Sequence, residues 1–182
     1  MASPHTPLIG PDALHARVDA MGDELSARFG GGPITTVSLL SGAVFFTADL
    51  LRRMPEVRVD MRFLRASSYR GTTRGEIKVR DDQLDPAVIT DHRVLIIDDI
   101  LDSGQTLHAV ARRIRDMAPA GVEAAVLLHK RGAQRAEFAL DLDALHVGFE
   151  IDDEFVIGYG LDYDGRYRNL DHIAVYNGES TR

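Results

Sequence analysis

The residues best suited to chemistry lie in one stretch, Val94–Leu107, which reads VLIIDDILDSGQTL. Two adjacent aspartates, Asp98 and Asp99, follow an aliphatic run, and a short polar loop at 102–106 leads into a predicted helix. Glycine in that loop permits close backbone approach, and a helix start presents unpaired N–H groups, so the loop suits a phosphate. Ionised aspartates only accept hydrogen bonds, which fits them to a vicinal diol rather than to another phosphate. A diol beside a phosphate describes ribose 5-phosphate.

The hydrophobic pattern predicts an α/β fold that positions this stretch at the edge of a sheet. Runs of β-branched and aliphatic residues predict strands at Ile34–Leu40, Val57–Leu64, 76–80, Val94–Ile97 and Val122–Leu128. Helices are predicted between them, at about 43–53 and 104–117. Short connections between strand, helix and strand favour a central, mostly parallel sheet flanked by helices. Ligands of such sheets bind beyond the carboxyl ends of the strands.

Other segments complete one predicted domain, residues 1–182, because no repeat, low-complexity segment or linker divides the chain. An amphipathic helix is predicted to begin at Pro11 and to end at the glycines 30–32. The polar stretch 65–75 has neither helical nor strand periodicity and is predicted to be a mobile loop. From about residue 145, short apolar runs separated by acidic and glycine-bearing turns predict a small hood beside the sheet.

Composition limits the class of protein. The 182 residues contain no apolar run long enough to span a membrane, so no membrane partner is expected. A net charge of -7 disfavours bulk nucleic-acid binding, since a phosphate backbone would be repelled. The absence of cysteine excludes disulfides and thiolate metal sites. No secretory pattern is visible at the N-terminus, and a cytoplasmic protein is expected.

The stretch at 94–107 resembles the signature of the phosphoribosyltransferases that use phosphoribosyl diphosphate. Aliphatic pairs on both sides of two acidic residues, followed by Asp-Ser-Gly-x-Thr, make up this resemblance. The last third of the chain is similar to the hypoxanthine-guanine branch in five segments: Leu128–Arg131, Val147–Ile151, Phe155–Tyr163, Tyr167–Leu170 and His172–Ile173. The resemblance implies the type I phosphoribosyltransferase fold and transfer of a 5-phosphoribosyl group to hypoxanthine or guanine, giving IMP or GMP and diphosphate.

Matching positions imply how the sugar donor is held. Asp98 and Asp99 would bind the ribose hydroxyls. The 5-phosphate would be held by Asp102, Ser103, Gly104, Gln105 and Thr106. The family also has a Ser-Tyr pair in a loop that folds over the site during reaction, and Ser68 and Tyr69 match that pair.

Other matching positions imply a base site and a diphosphate site. Asp102 would act as general acid/base at N7 of the purine, Lys130 would donate to the exocyclic O6, Phe155 would stack on the ring and backbone groups of Val156 would read the opposite edge. The diphosphate would contact Leu40, Ser41, Gly42 and Arg168, and Asp162 would lie near a bound Mg²⁺. The family also implies a homo-oligomer, a dimer or a tetramer.

These roles agree with the chemistry of the reaction. Breaking the C1–O bond of the donor builds negative charge on diphosphate, which cationic groups and Mg²⁺ stabilise. A carboxylate can take the proton that the incoming nitrogen sheds. Two departures from the family are visible: many members carry a basic residue where Ser41 stands, and the loop Arg70–Arg74 is shorter and more basic than expected.

Plainer interpretations of the same residues remain open. Adjacent aspartates after a strand often form only a solvated turn with a helix cap, and Phe155 in an apolar run is more often a core residue. Asp162 and Arg168 would equally suit a surface ion pair. A protein that keeps the donor motif as a sensor and binds nucleic acid is a second hypothesis. A third is an enzyme for xanthine, adenine or a pyrimidine, although Lys130 as a donor disfavours adenine.

Overall fold

The structure is a computed structural model. It describes residues 4–68, 77–79, 84–131 and 140–178, with backbone alone at 66–68 and 77–79. The strands are β1 (His5–Ile9), β2 (Ile34–Leu40), β3 (Val59–Ser68), β4 (Ile77–Val79), β5 (Arg93–Leu101), β6 (Gly121–Lys130), β7 (Ala144–Ile151), β8 (Val156–Ile157) and β9 (Ile173–Tyr176). The helices are α1 (Pro11–Phe29), α2 (Val44–Arg52) and α3 (Gln105–Arg115), with a short 3₁₀ helix at Pro86–Val88.

The larger sheet has the strand order β4-β3-β2-β5-β6-β7. Its strands β3, β2, β5, β6 and β7 are parallel, and β4 is antiparallel to β3. The chain moves outward in one direction from β2 to β3 and in the other from β5 to β6. The carboxyl ends of β2 and β5 therefore meet at the topological switch point, where open α/β sheets form a crevice. The predicted fold class is confirmed.

The apolar core lies on both faces of this sheet. Side chains of α1 and α2 pack on one face together with Leu95 and Ile97 of β5. Side chains of α3 pack on the other face together with Val94 and Ile96. Alternate residues of β5 thus enter opposite layers, which is why this strand reads as a continuous aliphatic run rather than as an alternating pattern.

A smaller sheet, with the order β1-β9-β8, forms a hood. Strand β1 pairs with β9 from the far end of the sequence, and the sequence pattern did not predict it because the partner strand is more than 160 residues away. The expectation that the hood begins at about residue 145 is corrected: Ala144–Ile151 is β7, which pairs in parallel with β6. The C-terminal part of the hood follows Ile151.

Strand β5 is longer than predicted. It continues through Asp98 and Asp99 to Leu101, so the two aspartates lie within the strand and not after it. Helix α3 and strand β3 differ from the predicted bounds by a few residues at their ends. Among the described residues, no helix has the length and hydropathy needed to cross a membrane.

Candidate active site

A cavity of about 480 Å³ lies at the switch point between β2 and β5. It is lined by residues 39–42 after and at the end of β2, by residues 98–107 from the end of β5 to the first turn of α3, and by Asp162 and Arg168. The two aspartates, the polar loop and the turn after β2 come together here although more than 50 residues separate the two segments. The loop lines this open cavity.

Asp98 is buried and Asp99 is partly buried, and the electrostatics of the pair follow from that burial. Asp98 is 8% exposed, and its Oδ1 accepts a hydrogen bond of 3.0 Å from the backbone N–H of Asp99. Burial raises the pKa of Asp98 well above its usual value, and the charge of Asp99 adds to the effect. Burial also raises the pKa of Asp99, while the positive charge of Arg168 acts in the opposite direction. Donor groups that reach the pair would relieve this cost.

The loop at 102–106 has the local geometry of an anion cradle. Gly104 adopts the left-handed conformation, with φ of 80°, which glycine reaches without steric cost. Its carbonyl accepts the first helical hydrogen bond, from His108 N–H at 2.9 Å. The N–H groups of Thr106 and Leu107 precede that bond, so they have no intrahelical acceptor, and both residues line the cavity. Backbone donors and the positive end of the α3 dipole thus face the cavity.

The turn after β2 is tightly packed on the aspartate pair. The peptide bond between Leu40 and Ser41 is cis. A Cβ placed on Gly42 would lie 1.5 Å from Asp99 Oδ2, and a Cβ on Gly160 would lie 2.0 Å from the carbonyl oxygen of Gly42. Only glycine fits at these two contacts. The turn is therefore held between β5 on one side and the hood on the other.

Arg168 and Asp162 form the hood side of the cavity. Arg168 Nη2 lies 2.6 Å from Asp162 Oδ1, and Arg168 Nη1 donates to the carbonyl of Gly160 at 2.6 Å. The second oxygen of Asp162 accepts from the N–H of Gly165 at 2.7 Å. About a third of each side chain is exposed. The two predicted residues are thus an ion pair, but one that faces the cavity rather than bulk solvent alone.

The residues predicted for the base lie beside this cavity rather than in its lining. Lys130, at the end of β6, has its Nζ 3.7 Å from Asp102 Oδ2 and 3.0 Å from Asp153 Oδ1. Lys130 therefore connects the loop at 102–106 to the acidic turn 152–154. Sequence reasoning did not identify Asp153 as a partner, although the acidic turn was a visible signal.

Phe155 is half-exposed, and it packs edge-on against Tyr163 and Tyr176 with ring centroids 5.8 and 6.1 Å apart. Tyr163 and Tyr176 stack on each other at 4.3 Å. Val156 is buried and pairs with Val175 in the hood. Phe155 thus packs against two tyrosine rings and is not buried in the core.

The predicted Ser-Tyr pair lies where the described segment 4–68 ends. Ser68 ends β3 and is described by backbone alone. Tyr69 and the loop Arg70–Arg74 lie outside the described residues. The pair stays a prediction from the resemblance.

The fold and the cavity together define the class of this domain as the type I phosphoribosyltransferase fold. The model of the phosphoribosyl transferase domain family matches residues 11–164. A hypoxanthine-guanine phosphoribosyltransferase of Bacillus subtilis is 36% identical over 170 residues, covering 92% of this chain and 91% of that protein. A crystal structure of Trypanosoma cruzi hypoxanthine phosphoribosyltransferase in complex with the product IMP superposes with a TM-score of 0.85 at 32% identity, covering 99% and 98% of the two chains.

The chain belongs to the phosphoribosyltransferase family, in its hypoxanthine-guanine branch. The bifunctional protein TilS/HprT of Listeria monocytogenes is also similar, at 37% identity over 94% of this chain. This chain spans about a quarter of that protein's length, 26%.

Replacing Asp98 by asparagine tests the cost of burying its carboxylate. Because the folded pKa of Asp98 is raised, the folded state binds more protons than the unfolded state above about pH 4, and stability falls as pH rises through that window. We expect Asp98→Asn to raise the free energy of unfolding at pH 8 by roughly 1–3 kcal/mol and to have a smaller effect at pH 4. Urea denaturation at both pH values measures this. Asp164→Asn, at an exposed position, is the control; equal effects at the two pH values would contradict the interpretation.

Gly42→Ala tests the close contact between the turn and Asp99. A methyl group there collides with the carboxylate, so we expect the apparent melting temperature to fall by several degrees, as for an overpacking substitution of about 1–3 kcal/mol. Gly10→Ala is the matched control, since a Cβ at Gly10 meets no atom within 4 Å. Differential scanning calorimetry of both variants gives the comparison. Similar melting temperatures would show that the turn yields to the methyl group.

Proposed function

We propose that this chain transfers the 5-phosphoribosyl group of phosphoribosyl diphosphate to hypoxanthine or guanine, giving IMP or GMP and diphosphate. One observation carries the proposal: an aspartate pair, an anion cradle and a tightly held turn line one cavity at the switch point. The cavity offers acceptors for a diol and backbone donors for a phosphate side by side, as a phosphorylated sugar requires. The names of the similar proteins, which include hypoxanthine-guanine enzymes and an IMP complex, favour a 6-oxopurine as acceptor.

The donor's ribose 5-phosphate is expected to bind across β5 and α3. Hydroxyl groups of the ribose donate to the carboxylates of Asp98 and Asp99, both of which line the cavity. The 5-phosphate accepts from the backbone of residues 103–106 and from the hydroxyls of Ser103 and Thr106. Binding of the donor would therefore displace water from the aspartate pair and from the loop at 103–106 at the same time.

The leaving diphosphate is expected between the turn after β2 and Arg168. Of the described residues that line the cavity, Arg168 is the cationic one. The turn's Ser41 supplies no charge, so its contribution is through backbone groups and its own hydroxyl. Arg168 therefore stabilises the charge that develops on diphosphate as the C1–O bond breaks.

Mg²⁺ fits this site as an ion that arrives with the donor. The described residues hold no cluster of three or more metal-ligating side chains. Asp162 supplies a carboxylate at the cavity wall, and Mg²⁺ is commonly held by one or two carboxylates together with substrate oxygens. When bound, the ion neutralises charge on the leaving diphosphate. Asp162 would contribute a ligand to it, and Arg168 would hold that carboxylate in place.

The base is expected to sit between Asp102 and Phe155. Asp102 is more than half exposed in its side chain, and it takes the proton that the purine sheds at N7. Lys130 donates to the 6-oxo group, which an adenine 6-amino group cannot replace as an acceptor. Phe155 is half-exposed and would stack on the ring, and Val156 would read the opposite edge of the base with its backbone.

The expected homo-oligomer and cytoplasmic location belong to the same proposal. Four large apolar side chains of α2 and β3 are more than a third exposed: Val44, Phe45, Met61 and Phe63. Exposed apolar residues of this kind favour burial against a second copy. Sedimentation velocity would distinguish a dimer from a tetramer.

A panel of four purine bases tests the function. The purified chain is incubated with phosphoribosyl diphosphate, Mg²⁺ and hypoxanthine, guanine, xanthine or adenine, and nucleotide formation is followed by absorbance. We expect IMP and GMP from the first two bases and no AMP. Failure to form any nucleotide would refute the proposal, and AMP formation would refute the role of Lys130.

Asp102→Asn tests the proton acceptor. The amide cannot take the proton, so turnover is expected to fall by about 10²- to 10⁴-fold while the KM for phosphoribosyl diphosphate changes little. Steady-state kinetics with saturating base measures both constants. Asp116→Asn, at the opposite end of α3, is the control. Equal losses in turnover and donor binding would contradict the assigned role.

A further inference from the structure

Tyr159 has an unfavourable backbone conformation for its residue type. It is 4% exposed and has φ of 48°, in the left-handed region, between Gly158 and Gly160. A bulky non-glycine residue is strained in this region and persists only where the surrounding contacts fix it. Both the side chain and the backbone of Tyr159 make such contacts.

The side chain of Tyr159 joins the hood to the helix behind the diphosphate turn. Its hydroxyl donates a hydrogen bond to Asp49 Oδ2 on α2. Burial, with the neighbouring Asp49 carboxylate, raises the pKa of Tyr159, so the hydroxyl keeps its proton and acts as a donor. The ring lies 6.2 Å from that of Phe45 and 6.5 Å from that of His15. Asp49 belongs to the helix that begins two residues after Gly42.

The backbone at Tyr159 and Gly160 carries the segment that holds Arg168. Tyr159 N–H donates to Leu170 O, and Gly160 N–H donates to Arg168 O, each at 2.9 Å. The carbonyl of Gly160 accepts from Arg168 Nη1. The same Gly160 lies against the carbonyl of Gly42, where a Cβ would come within 2.0 Å. The hydrogen bond of Tyr159 thus fixes the point at which the hood meets the diphosphate turn.

We propose that Asp49 and Tyr159 are positioning residues that set the distance between Arg168 and the turn Leu40–Gly42. They touch neither the donor nor the base in this assignment. Without the hydroxyl, the hood can move away from α2, and Gly160 then carries Arg168 away from the turn. This inference rests on the proposed function, because it assigns diphosphate to the space between those two elements.

Tyr159→Phe is the decisive variant, since it keeps the ring and removes only the hydroxyl. A hydrogen bond to a charged acceptor is worth about tenfold or more in an equilibrium constant. We expect the KM for phosphoribosyl diphosphate and the inhibition constant of inorganic diphosphate to rise about tenfold, with the KM for hypoxanthine unchanged. A purely structural role would change both substrates' constants together or neither.

Three further variants make the test specific. Asp49→Ala should reproduce the effect, and the double variant with Tyr159→Phe should be no worse than either alone, because the two residues act as one unit. Asp49→Asn keeps an acceptor oxygen and should restore most of the donor affinity. Arg52→Gln removes the other partner of Asp49 while leaving the tyrosine bond intact, so it is the matched control and should resemble the parent.

The outcomes separate this inference from the proposed function. If the parent chain forms IMP and Tyr159→Phe has parent donor and diphosphate constants, the positioning role is wrong and the proposed function stands. An additive double variant would likewise overturn the pairing of Asp49 with Tyr159. A parent chain that forms no nucleotide refutes the proposed function, and calorimetric titration with inorganic diphosphate and Mg²⁺ then tests the positioning role directly.

Discussion

The cavity is built around two adjacent carboxylates near the carboxyl end of a central strand, Asp98 buried and Asp99 partly buried. Water cannot solvate Asp98 fully, and the negative charges of Asp98 and Asp99 repel each other, so the pair is costly without partners. The surrounding structure supplies compensation from different elements: a backbone N–H of β5, the guanidinium of Arg168 and an open side toward the cavity. A ligand with hydroxyl donors, as in the proposed function, would add further compensation.

The hood places a cationic side chain, Arg168, at the wall of the cavity. Its strand β1 comes from one end of the described chain and β9 from the other, and the sheet they form brings Arg168 over the diphosphate turn. The positive charge at this end of the cavity comes from Arg168, while Gly42 of the turn packs closely against Asp99 and Gly160. The positive charge is therefore contributed by the hood, and the close packing by the turn after β2.

The base end is organised by a lysine shared between two carboxylates. Lys130 lies closer to Asp153 than to Asp102, and both acids are largely exposed. The side chain of Lys130 is only 12% exposed, so its ammonium group has these two carboxylates as partners in place of full hydration. The stacked rings of Tyr163 and Tyr176 pack against Phe155, which remains 49% exposed.

Three features were predictable from the amino-acid sequence alone: the parallel sheet, the helices that flank it and the chemical character of the stretch at 94–107. These features are local. Hydrophobic periodicity indicates which residues are buried, and Gly104 beside hydroxyl-bearing residues indicates a tight loop with an accessible backbone. The sequence also placed Asp98, Asp99 and the loop in one segment, so their proximity needed little tertiary information.

The distant segments that complete the cavity could not be predicted in this way. Strand β1 was not visible because its pairing partner is at the other end of the chain, and β7 was assigned to the hood because its apolar run resembles those that follow it. The contacts of Gly42 with Asp99, of Gly160 with Gly42 and of Tyr159 with Asp49 join residues 57 to 118 positions apart. No periodicity encodes such contacts, because they arise from the packing of complete elements rather than from the conformational preference of any one of them.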